Sequence, residues 1–322
     1  VRTLLTLHNI AYQGVFPSDT LSMTGLKWTH LSKQQLLKNG KLNFLKTGIL
    51  YSDILTTVSR SYRREILTER RGFGLSEILK SRRDRLFSIR NGIDYQVWNP
   101  ENDAYIISRF KGPDFKGKSE CKEDLLKEFD LDVRSERPLI GILSYFSLYK
   151  GFDLLIEGLE ELMSMDLALV ILGQGDEKYS RKLAGKAKKY PRRLAVSSEG
   201  SPALSHKLVA GADMFLIPSK YEPCGLSLLY GFRYATVPIA RATGGLAERV
   251  RPFDRTTLKG NGFLFKDYSV PAMTAAVEEA LNCYGRHDLW KRIMLSGFQE
   301  KHSWRRSAKR YANIYRKAMQ IQ

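Results

Sequence analysis

Four short segments in the second half of the chain combine residue types that bind phosphate groups. They are Lys150-Gly151, Gly173-Gln-Gly-Asp176, Glu222-Pro-Cys-Gly225 and Thr243-Gly-Gly245, and each follows an apolar run. Glycine lets a phosphate approach the backbone, and a helix N-terminus carries about half a positive charge. Together the segments predict a site for a nucleotide diphosphate, although a Gly-x-Gly-Asp segment alone is more often a tight turn. The chain has no Gly-x-Gly-x-x-Gly fingerprint and no Walker loop, which argues against hydride transfer and P-loop ATP hydrolysis.

The elements that must position these segments alternate along the chain. Apolar runs separated by predicted helices lie at residues 4–7, 54–59, 86–89, 139–143, 167–172, 194–197, 214–217 and 236–240. Uninterrupted apolar strands that alternate with helices predict doubly wound α/β domains with parallel sheets. Ligands bind outside the carboxyl ends of such strands, and the four glycine segments fall there.

Two further features concern domain organisation. Residues 99–118 are polar and contain Pro100, Gly112 and Pro113, so they are the predicted linker. Residues 303–319 are predicted to form a basic amphipathic helix that packs on the rest of the protein.

Earlier in the chain, Asn39-Gly40 is expected to interrupt a helical region.

The chain is strongly basic, with 52 Lys and Arg against 34 Asp and Glu and a formal net charge of +18. Basic residues cluster at 60–90, 178–193 and 301–317, which permits nucleic-acid binding. No zinc-finger spacing or RNA-binding aromatic signature accompanies them. We therefore favour solvated outer faces of helices over a nucleic-acid site.

Other classes are excluded by what the sequence lacks. Cys121, Cys224 and Cys283 are widely spaced and odd in number, which fits neither a disulfide framework nor a zinc cluster. No apolar stretch approaches the roughly 20 residues of a membrane-spanning helix. Since Val1 already opens a predicted strand, we expect the chain to be the later part of a longer protein.

The motifs resemble, in order and over nearly the whole chain, those of the bacterial glycogen synthase and plant starch synthase family. The matching segments are His8-Asn-Ile-Ala-Tyr-Gln-Gly14, Phe44-Leu-Lys-Thr-Gly48, Val58-Ser59, Asn91-Gly-Ile-Asp94, Trp98-Asn-Pro100, Lys150-Gly151, Gly173-Gln-Gly-Asp176, Ala212-Asp213, Pro218-Ser-Lys-Tyr-Glu-Pro-Cys-Gly-Leu226 and Arg241-Ala-Thr-Gly-Gly-Leu246.

The resemblance implies a GT-B fold, in which two doubly wound Rossmann-like domains face a cleft, with the first domain incomplete. The implied boundaries are 1–118 for the acceptor-side domain and linker, 119–302 for the nucleotide-sugar domain, and 303–322 for the terminal helix. The implied reaction transfers glucose from ADP-glucose to the non-reducing end of an α-1,4-glucan, glycogen or starch, with retention of configuration. No metal or other cofactor is implied, and the implied location is the bacterial cytoplasm or a plastid.

Three residues resemble the family's catalytic groups. His8 resembles the histidine that contacts the donor sugar near its reacting face. Glu222 resembles the glutamate beside the sugar ring, where a carboxylate stabilises positive charge as the glycosidic bond lengthens. Lys150 resembles the lysine that neutralises the departing phosphates.

The remaining implied contacts belong to nucleotide-sugar binding. They are Asn91, Gly173, Gly175, Asp176, Cys224, Gly225, Leu226, Thr243, Gly244 and Gly245. Asn91 is nearly as well explained as a turn residue. Cys224 is interpreted as small and buried rather than as a nucleophile.

The chain departs from the family pattern at two places within its length. The family has an arginine five residues before the lysine matched by Lys150, and this chain has Tyr145 there. The loop before Ala212-Asp213 is shortened to Gly200-Ser-Pro-Ala203. Loss of a bidentate guanidinium contact weakens diphosphate stabilisation. Two alternatives therefore stay open: a weakened or inactive homologue that binds glucan or regulates, and a basic nucleic-acid-binding protein.

Overall fold

A computed structural model describes residues 1–25 and 36–320, which divide into two compact units. The first unit comprises Val1–Asn91 and Arg305–Gln322, and the second comprises Gly92–Trp304. The strands are β1 (Leu4–Leu7), β2 (Val15–Phe16), β3 (Leu37–Lys38), β4 (Lys41–Asn43), β5 (Ile54–Thr57), β6 (Leu86–Ser88), β7 (Leu139–Leu143), β8 (Ala168–Leu172), β9 (Leu194–Ser197), β10 (Met214–Ile217), β11 (Val237–Arg241) and β12 (Phe263–Phe265).

The helices of the described residues follow in the same order. They are α1 (Phe44–Tyr51), α2 (Arg60–Glu65), α3 (Glu69–Gly72), α4 (Ser76–Ser81), α5 (Lys116–Glu128), α6 (Phe152–Glu157), α7 (Leu159–Ser164), α8 (Glu177–Ala187), α9 (Pro202–Gly211), α10 (Leu226–Arg233), α11 (Gly244–Arg249), α12 (Val270–Tyr284), α13 (His287–Phe298) and α14 (Trp304–Met319). None of them is long and apolar enough to cross a membrane.

The first unit is built on a parallel sheet in the order β1-β5-β6. Leu4 pairs with Ile54, and Leu55 pairs with Leu86. The Oγ1 of Thr57 donates a hydrogen bond to the Leu7 carbonyl oxygen, so a buried threonine is satisfied by the neighbouring strand. The carboxyl end of β1 leads directly to His8.

A second, antiparallel sheet in the order β2-β4-β3 lies in the same unit. Lys38 pairs with Lys41, so Asn39-Gly40 forms a two-residue hairpin loop. Both loop residues have positive φ, 52° and 74°, as a type I′ turn requires. The expectation that Asn39-Gly40 interrupts a helical region is therefore wrong. The dipeptide connects two strands, and Asn-Gly favours this turn because both residues adopt positive φ readily.

Helix α14, apart from its first residue, belongs to the first unit and packs near β6. Ser307 Oγ donates a hydrogen bond of 2.5 Å to the Arg90 carbonyl oxygen. The Lys317 ammonium lies 4.4 Å from the centroid of the Phe87 ring. Tyr311 and Ile314 are half-buried, whereas Tyr315 is exposed.

The second unit contains a parallel sheet in the order β12-β11-β10-β7-β8-β9. Alternate strand residues enter two different cores, as the pleat requires. Ile140 and Ile142 pack with α6, α7 and α12 on one face, and Leu139 packs with α5 and α9 on the other. The predicted α/β class with parallel sheets covered on both faces is confirmed. Strand β12 and helices α12 and α13 were not predicted from the sequence.

The predicted linker, residues 99–118, and the segment just before it pack as part of the second unit. Trp98, directly before the predicted linker, stacks on His206 and on Tyr230, with ring centroids 3.9 and 3.8 Å away. The buried Asp103 lies 2.7 Å from His206 Nδ1 and accepts a 2.5 Å hydrogen bond from the Tyr234 hydroxyl. Aromatic stacking and a buried hydrogen-bonded carboxylate fix this segment, so the units divide at Asn91 rather than at residue 118.

Candidate active site

A partly buried ion pair lies at the carboxyl edge of the second unit's sheet. Lys150 Nζ is 2.6 Å from Glu222 Oε2, and the two side chains are 25% and 8% exposed. Lys150 ends the short 3-10 turn Leu148–Lys150 after β7, and Glu222 lies in the loop after β10. Because β7 and β10 are neighbours in the sheet, their carboxyl ends bring these two loops together.

The Glu222 carboxylate is held by its own loop as well as by Lys150. Ser219 Oγ donates a 3.2 Å hydrogen bond to Oε2, and the Gly225 amide donates one of the same length to Oε1. The carboxylate therefore has a fixed orientation, because three donors from separate positions hold its two oxygens.

Gly151 allows the Lys150 loop to lie directly against the loop after β10. Its φ is +81°, and a Cβ atom there would lie 2.1 Å from the Pro218 carbonyl oxygen. The Tyr221 amide donates a 3.1 Å hydrogen bond to the Tyr149 carbonyl oxygen. A glycine is required here by both the left-handed conformation and the close backbone contact.

The Thr243-Gly-Gly245 segment also packs on the Glu222 loop. The Gly245 amide donates a 2.9 Å hydrogen bond to the Glu222 carbonyl oxygen. A Cβ atom at Gly244 would lie 2.0 Å from that same oxygen, and one at Gly245 would lie 2.3 Å from the Cys224 carbonyl oxygen. Both glycines thus permit backbone contact. Thr243 Oγ1 is buried and has no hydrogen-bond partner within the described part of the chain.

The Gly173–Asp176 loop is bound to the residues that follow β7. A Cβ atom at Gly173 would lie 1.8 Å from the Ser144 carbonyl oxygen. The Phe146 amide donates to the Gln174 carbonyl oxygen, and the Asp176 amide donates back to the Phe146 carbonyl oxygen at 2.9 Å. The Asp176 carboxylate caps α8 by accepting from the Lys178 amide.

Tyr145 lies between the two residues that make those contacts. Its side chain is 56% exposed. A tyrosine supplies no guanidinium for a phosphate, so Lys150 is the cation that the predicted site residues place after β7.

The structure joins some of the predicted site residues and leaves others apart. Lys150, Glu222, Cys224, Gly225 and the Thr243–Gly245 segment form one cluster through the contacts above. Gly173, Gly175 and Asp176 are joined to the strand-end residues 144–146 rather than to the ion pair. Leu226 begins α10 and is 40% exposed. His8 and Asn91 belong to the first unit, where His8 is exposed and Asn91 is buried.

The segment that begins with His8 is anchored by hydrogen bonds within its own unit. The Ile10 amide donates to the buried Tyr62 hydroxyl at 2.8 Å. Asn9 Oδ1 accepts from the Ala11 amide at 3.0 Å. Gln13 Nε2 donates to the Phe73 carbonyl oxygen at 2.9 Å. These contacts fix the loop and leave the His8 side chain at the surface.

Arg241 has no predicted role, and the structure places it against the loop after β10. Its guanidinium donates to the carbonyl oxygens of Ser219 and Lys220, at 3.4 and 3.2 Å. It also lies 5.2 Å from the centroid of the Tyr268 ring. Burial and the hydrogen bond to Asp153 raise the pKa of Tyr268, so this hydroxyl stays neutral. Its position at the end of β11, directly before Ala242-Thr-Gly-Gly245, could have indicated that it lies beside the site.

Comparison with known proteins identifies the class to which this fold belongs. A family model described as "Starch synthase catalytic domain" matches residues 1–81, and one described as "Glycosyl transferases group 1" matches residues 125–293. Sucrose-phosphate synthase from Thermosynechococcus elongatus superposes with a TM-score of 0.63 at 16% identity, covering 98% of this chain and 67% of that chain. The fold is that of a GT-B glycosyltransferase.

Closer relatives give the particular family. Glycogen synthase from Koribacter versatilis is 41% identical over 99% of this chain and 66% of its own length. Glycogen synthase from Thermotoga maritima is 41% identical over 98% of this chain and 65% of its own length. The catalytic domain of starch synthase IV from Arabidopsis thaliana, bound to ADP and acarbose, has a TM-score of 0.93 at 32% identity, covering 99% of this chain and 67% of that chain. The chain belongs to the glycogen synthase and starch synthase family, as its motifs predicted. It spans about two thirds of the length of these curated relatives.

Proposed function

We propose that this chain carries the donor site of a glycogen or starch synthase, which transfers glucose from ADP-glucose to the non-reducing end of an α-1,4-glucan with retention of configuration. The observation that carries the proposal is the Lys150–Glu222 ion pair, enclosed by glycine loops at the carboxyl edge of the sheet. The relatives named glycogen synthase, and the starch synthase structure bound to ADP and acarbose, support the substrate classes.

In this proposal Lys150 stabilises the leaving group. As the bond between glucose and the diphosphate lengthens, negative charge accumulates on the phosphate oxygens. An ammonium has three donors, so Lys150 can contact a phosphate oxygen while it keeps one hydrogen bond to Glu222. The low exposure of the pair strengthens this electrostatic interaction relative to one in water.

Glu222 acts on the sugar in the same proposal. Its carboxylate accepts hydrogen bonds from sugar hydroxyl groups and stabilises the positive charge that develops on the ring. The donors at Ser219 and Gly225 fix its orientation before substrate binds. Preorganisation of this kind requires little rearrangement during the reaction.

The other proposed contacts surround this pair. Thr243 Oγ1 is a buried hydroxyl without a partner in the described residues, and a phosphate or sugar oxygen would satisfy it. His8 is proposed to contact the donor sugar, and the remaining donor-site residues are Asn91, Gly173, Gly175, Asp176, Cys224, Gly225, Leu226, Gly244 and Gly245. The proposed reaction requires no metal or cofactor.

The test is transfer of labelled glucose from ADP-glucose to glycogen. Glu222→Ala should lower the rate at least about 100-fold, as removal of a main electrostatic contact does. Glu278→Ala, which removes an exposed carboxylate on α12, is the matched control and should leave the rate unchanged. Equal rates for the Glu222→Ala protein and the unmodified chain would refute the assignment.

A second candidate, an inactive homologue that binds glucan or regulates, is favoured by Tyr145. This exposed tyrosine brings no charge to the position where the family resemblance expects an arginine. The candidate predicts glycogen binding in a co-sedimentation assay with no glucose transfer. Transfer that depends on Glu222 would exclude it.

A further inference from the structure

The first unit contains a cavity of about 550 Å³ that the proposed transferase reaction does not use. It is lined by Arg60 and Arg63 of α2, Arg83, Arg310 of α14, and the apolar side chains of Phe87 and Ile314. We call this cavity the arginine pocket. None of its residues is among those matched to the donor site.

The arginine pocket has a large excess of positive charge. The acidic lining residue is Asp84, whose Oδ1 lies 3.7 Å from Arg83 Nε, and both side chains are highly exposed. Exposed ion pairs of this kind contribute little to stability. Among the residues that the structure describes, Arg60, Arg63 and Arg310 form no ion pair with a carboxylate. Three arginines that form no ion pair among the described residues thus line one pocket.

Repulsion among the arginines and an unpaired donor on Arg63 both favour a bound anion in the arginine pocket. Burial lowers the pKa of Arg310, and repulsion from Arg306, Arg60 and Arg90 lowers it further. Arg63 donates to the Arg83 carbonyl oxygen at 2.9 Å, while its Nε is buried with no partner in the described residues. A bound anion would relieve the repulsion and satisfy the unpaired donor.

We propose that the arginine pocket binds a small phosphate monoester, with the phosphate held by Arg60, Arg63 and Arg310 and the body of the molecule against Phe87 and Ile314. Guanidinium groups bind phosphate oxygens in pairs of parallel hydrogen bonds. A monoester presents three terminal oxygens and close to two negative charges, whereas a phosphodiester presents two oxygens and one charge. Three arginines that line one pocket therefore match the monoester.

The experiment is calorimetric titration of the 322-residue chain with phenyl phosphate and, separately, with inorganic phosphate. We expect saturable binding of phenyl phosphate with a Kd of about 1 mM or below, and weaker binding of inorganic phosphate, which lacks the apolar body. Arg310→Ala should weaken phenyl phosphate binding about tenfold or more, the effect of one charge-assisted contact. Arg305→Ala removes an exposed arginine from the same helix and is the matched control. Its Kd should equal that of the unmodified chain.

Two further variants separate this site from folding effects and from the donor site. If Arg310→Ala lowers the melting temperature, Arg60→Gln, at an exposed position, replaces it in the titration. Lys150→Ala should leave phenyl phosphate binding unchanged, so failure of the donor-site proposal would not affect this result.

Three outcomes would overturn the proposal. They are no saturable binding of phenyl phosphate, equal loss of affinity in Arg305→Ala and Arg310→Ala, and tighter Arg310-dependent binding of a thymidine oligonucleotide than of phenyl phosphate. The last would indicate a phosphodiester site instead.

Discussion

Lys150 Nζ and Glu222 Oε2 lie 2.6 Å apart, although 72 residues separate them in the chain. The parallel pairing of β7 with β10 places their loops side by side, and Gly151 permits the contact. Lys150, the proposed leaving-group contact, and Glu222, the proposed sugar contact, are thus directly paired. A change to either residue also changes the environment of the other.

Removal of Lys150 alone should therefore destabilise the protein. Lys150→Met leaves the buried Glu222 carboxylate without its cation, and we expect a loss of about 1–3 kcal/mol in the free energy of unfolding. The double variant Lys150→Met/Glu222→Gln removes the unpaired charge and should recover part of that loss. Urea unfolding of the two variants measures the difference. Equal stabilities would mean that the pair is not coupled.

The glycine pair at the start of α11 should tolerate no side chain. Gly244→Ala places a Cβ atom 2.0 Å from the Glu222 carbonyl oxygen at a φ of +44°, so we expect a loss of about 2 kcal/mol or more. Gly185→Ala is the control, because it lies within α8 and a Cβ there meets nothing within 4 Å. It should stabilise the chain by about 0.5–1 kcal/mol. The same change in melting temperature for Gly244→Ala and Gly185→Ala would contradict the close approach of residue 244 to the Glu222 carbonyl oxygen.

An arginine at position 145 should strengthen binding of a diphosphate. Tyr145→Arg adds a guanidinium at an exposed position on the loop that precedes Lys150, and we expect ADP to bind about tenfold more tightly. Tyr145→Gln adds no charge and should not increase the affinity. An unchanged Kd in calorimetry for Tyr145→Arg would show that residue 145 does not face the phosphates.

Stability should rise with pH through the titration of a buried lysine. Lys118 is buried, and burial lowers its pKa to about 8, although its Nζ donates to the Ala210 carbonyl oxygen and to Thr236 Oγ1. Between this pKa and the ordinary value of 10.5, the unfolded chain binds more protons than the folded one. The lysine contribution to stability therefore increases from about pH 8 to about pH 10.5.

Lys118→Met removes that contribution and is the comparison that isolates it. From pH 7.5 to pH 10, the free energy of unfolding measured in urea should increase more, or decrease less, for the unmodified chain than for the variant. Identical pH dependence would contradict a lowered pKa for Lys118.

The sequence predicted strands β7 to β11 of the second unit and the loops that follow them, because buried parallel strands are continuous apolar runs. It did not predict the backbone contacts of the glycines. Gly244 and Gly245 were predicted to receive phosphate, which stays a prediction, and the structure adds that both lie against the Glu222 and Cys224 carbonyl oxygens, where a Cβ atom would not fit. Backbone contacts between distant loops leave no pattern in a single sequence.

Other features were missed for similar reasons. Residues 99–118 are polar, yet Asp103 ties them to the second unit through His206, on which Trp98, just before them, also stacks. The arginine pocket joins Arg60 and Arg63 to Arg310, about 250 residues later in the chain. Charge spacing along the sequence could not distinguish that pocket from a solvated helix face.

The central claim is a donor site for ADP-glucose built on Lys150 and Glu222, and calorimetric titration of the chain with ADP tests it most directly. We expect micromolar binding that Lys150→Ala weakens about tenfold or more. Lys291→Ala, at an exposed position on α13, should leave the affinity unchanged. Absence of ADP binding, or equal affinities for the Lys150→Ala and Lys291→Ala proteins, would contradict the account.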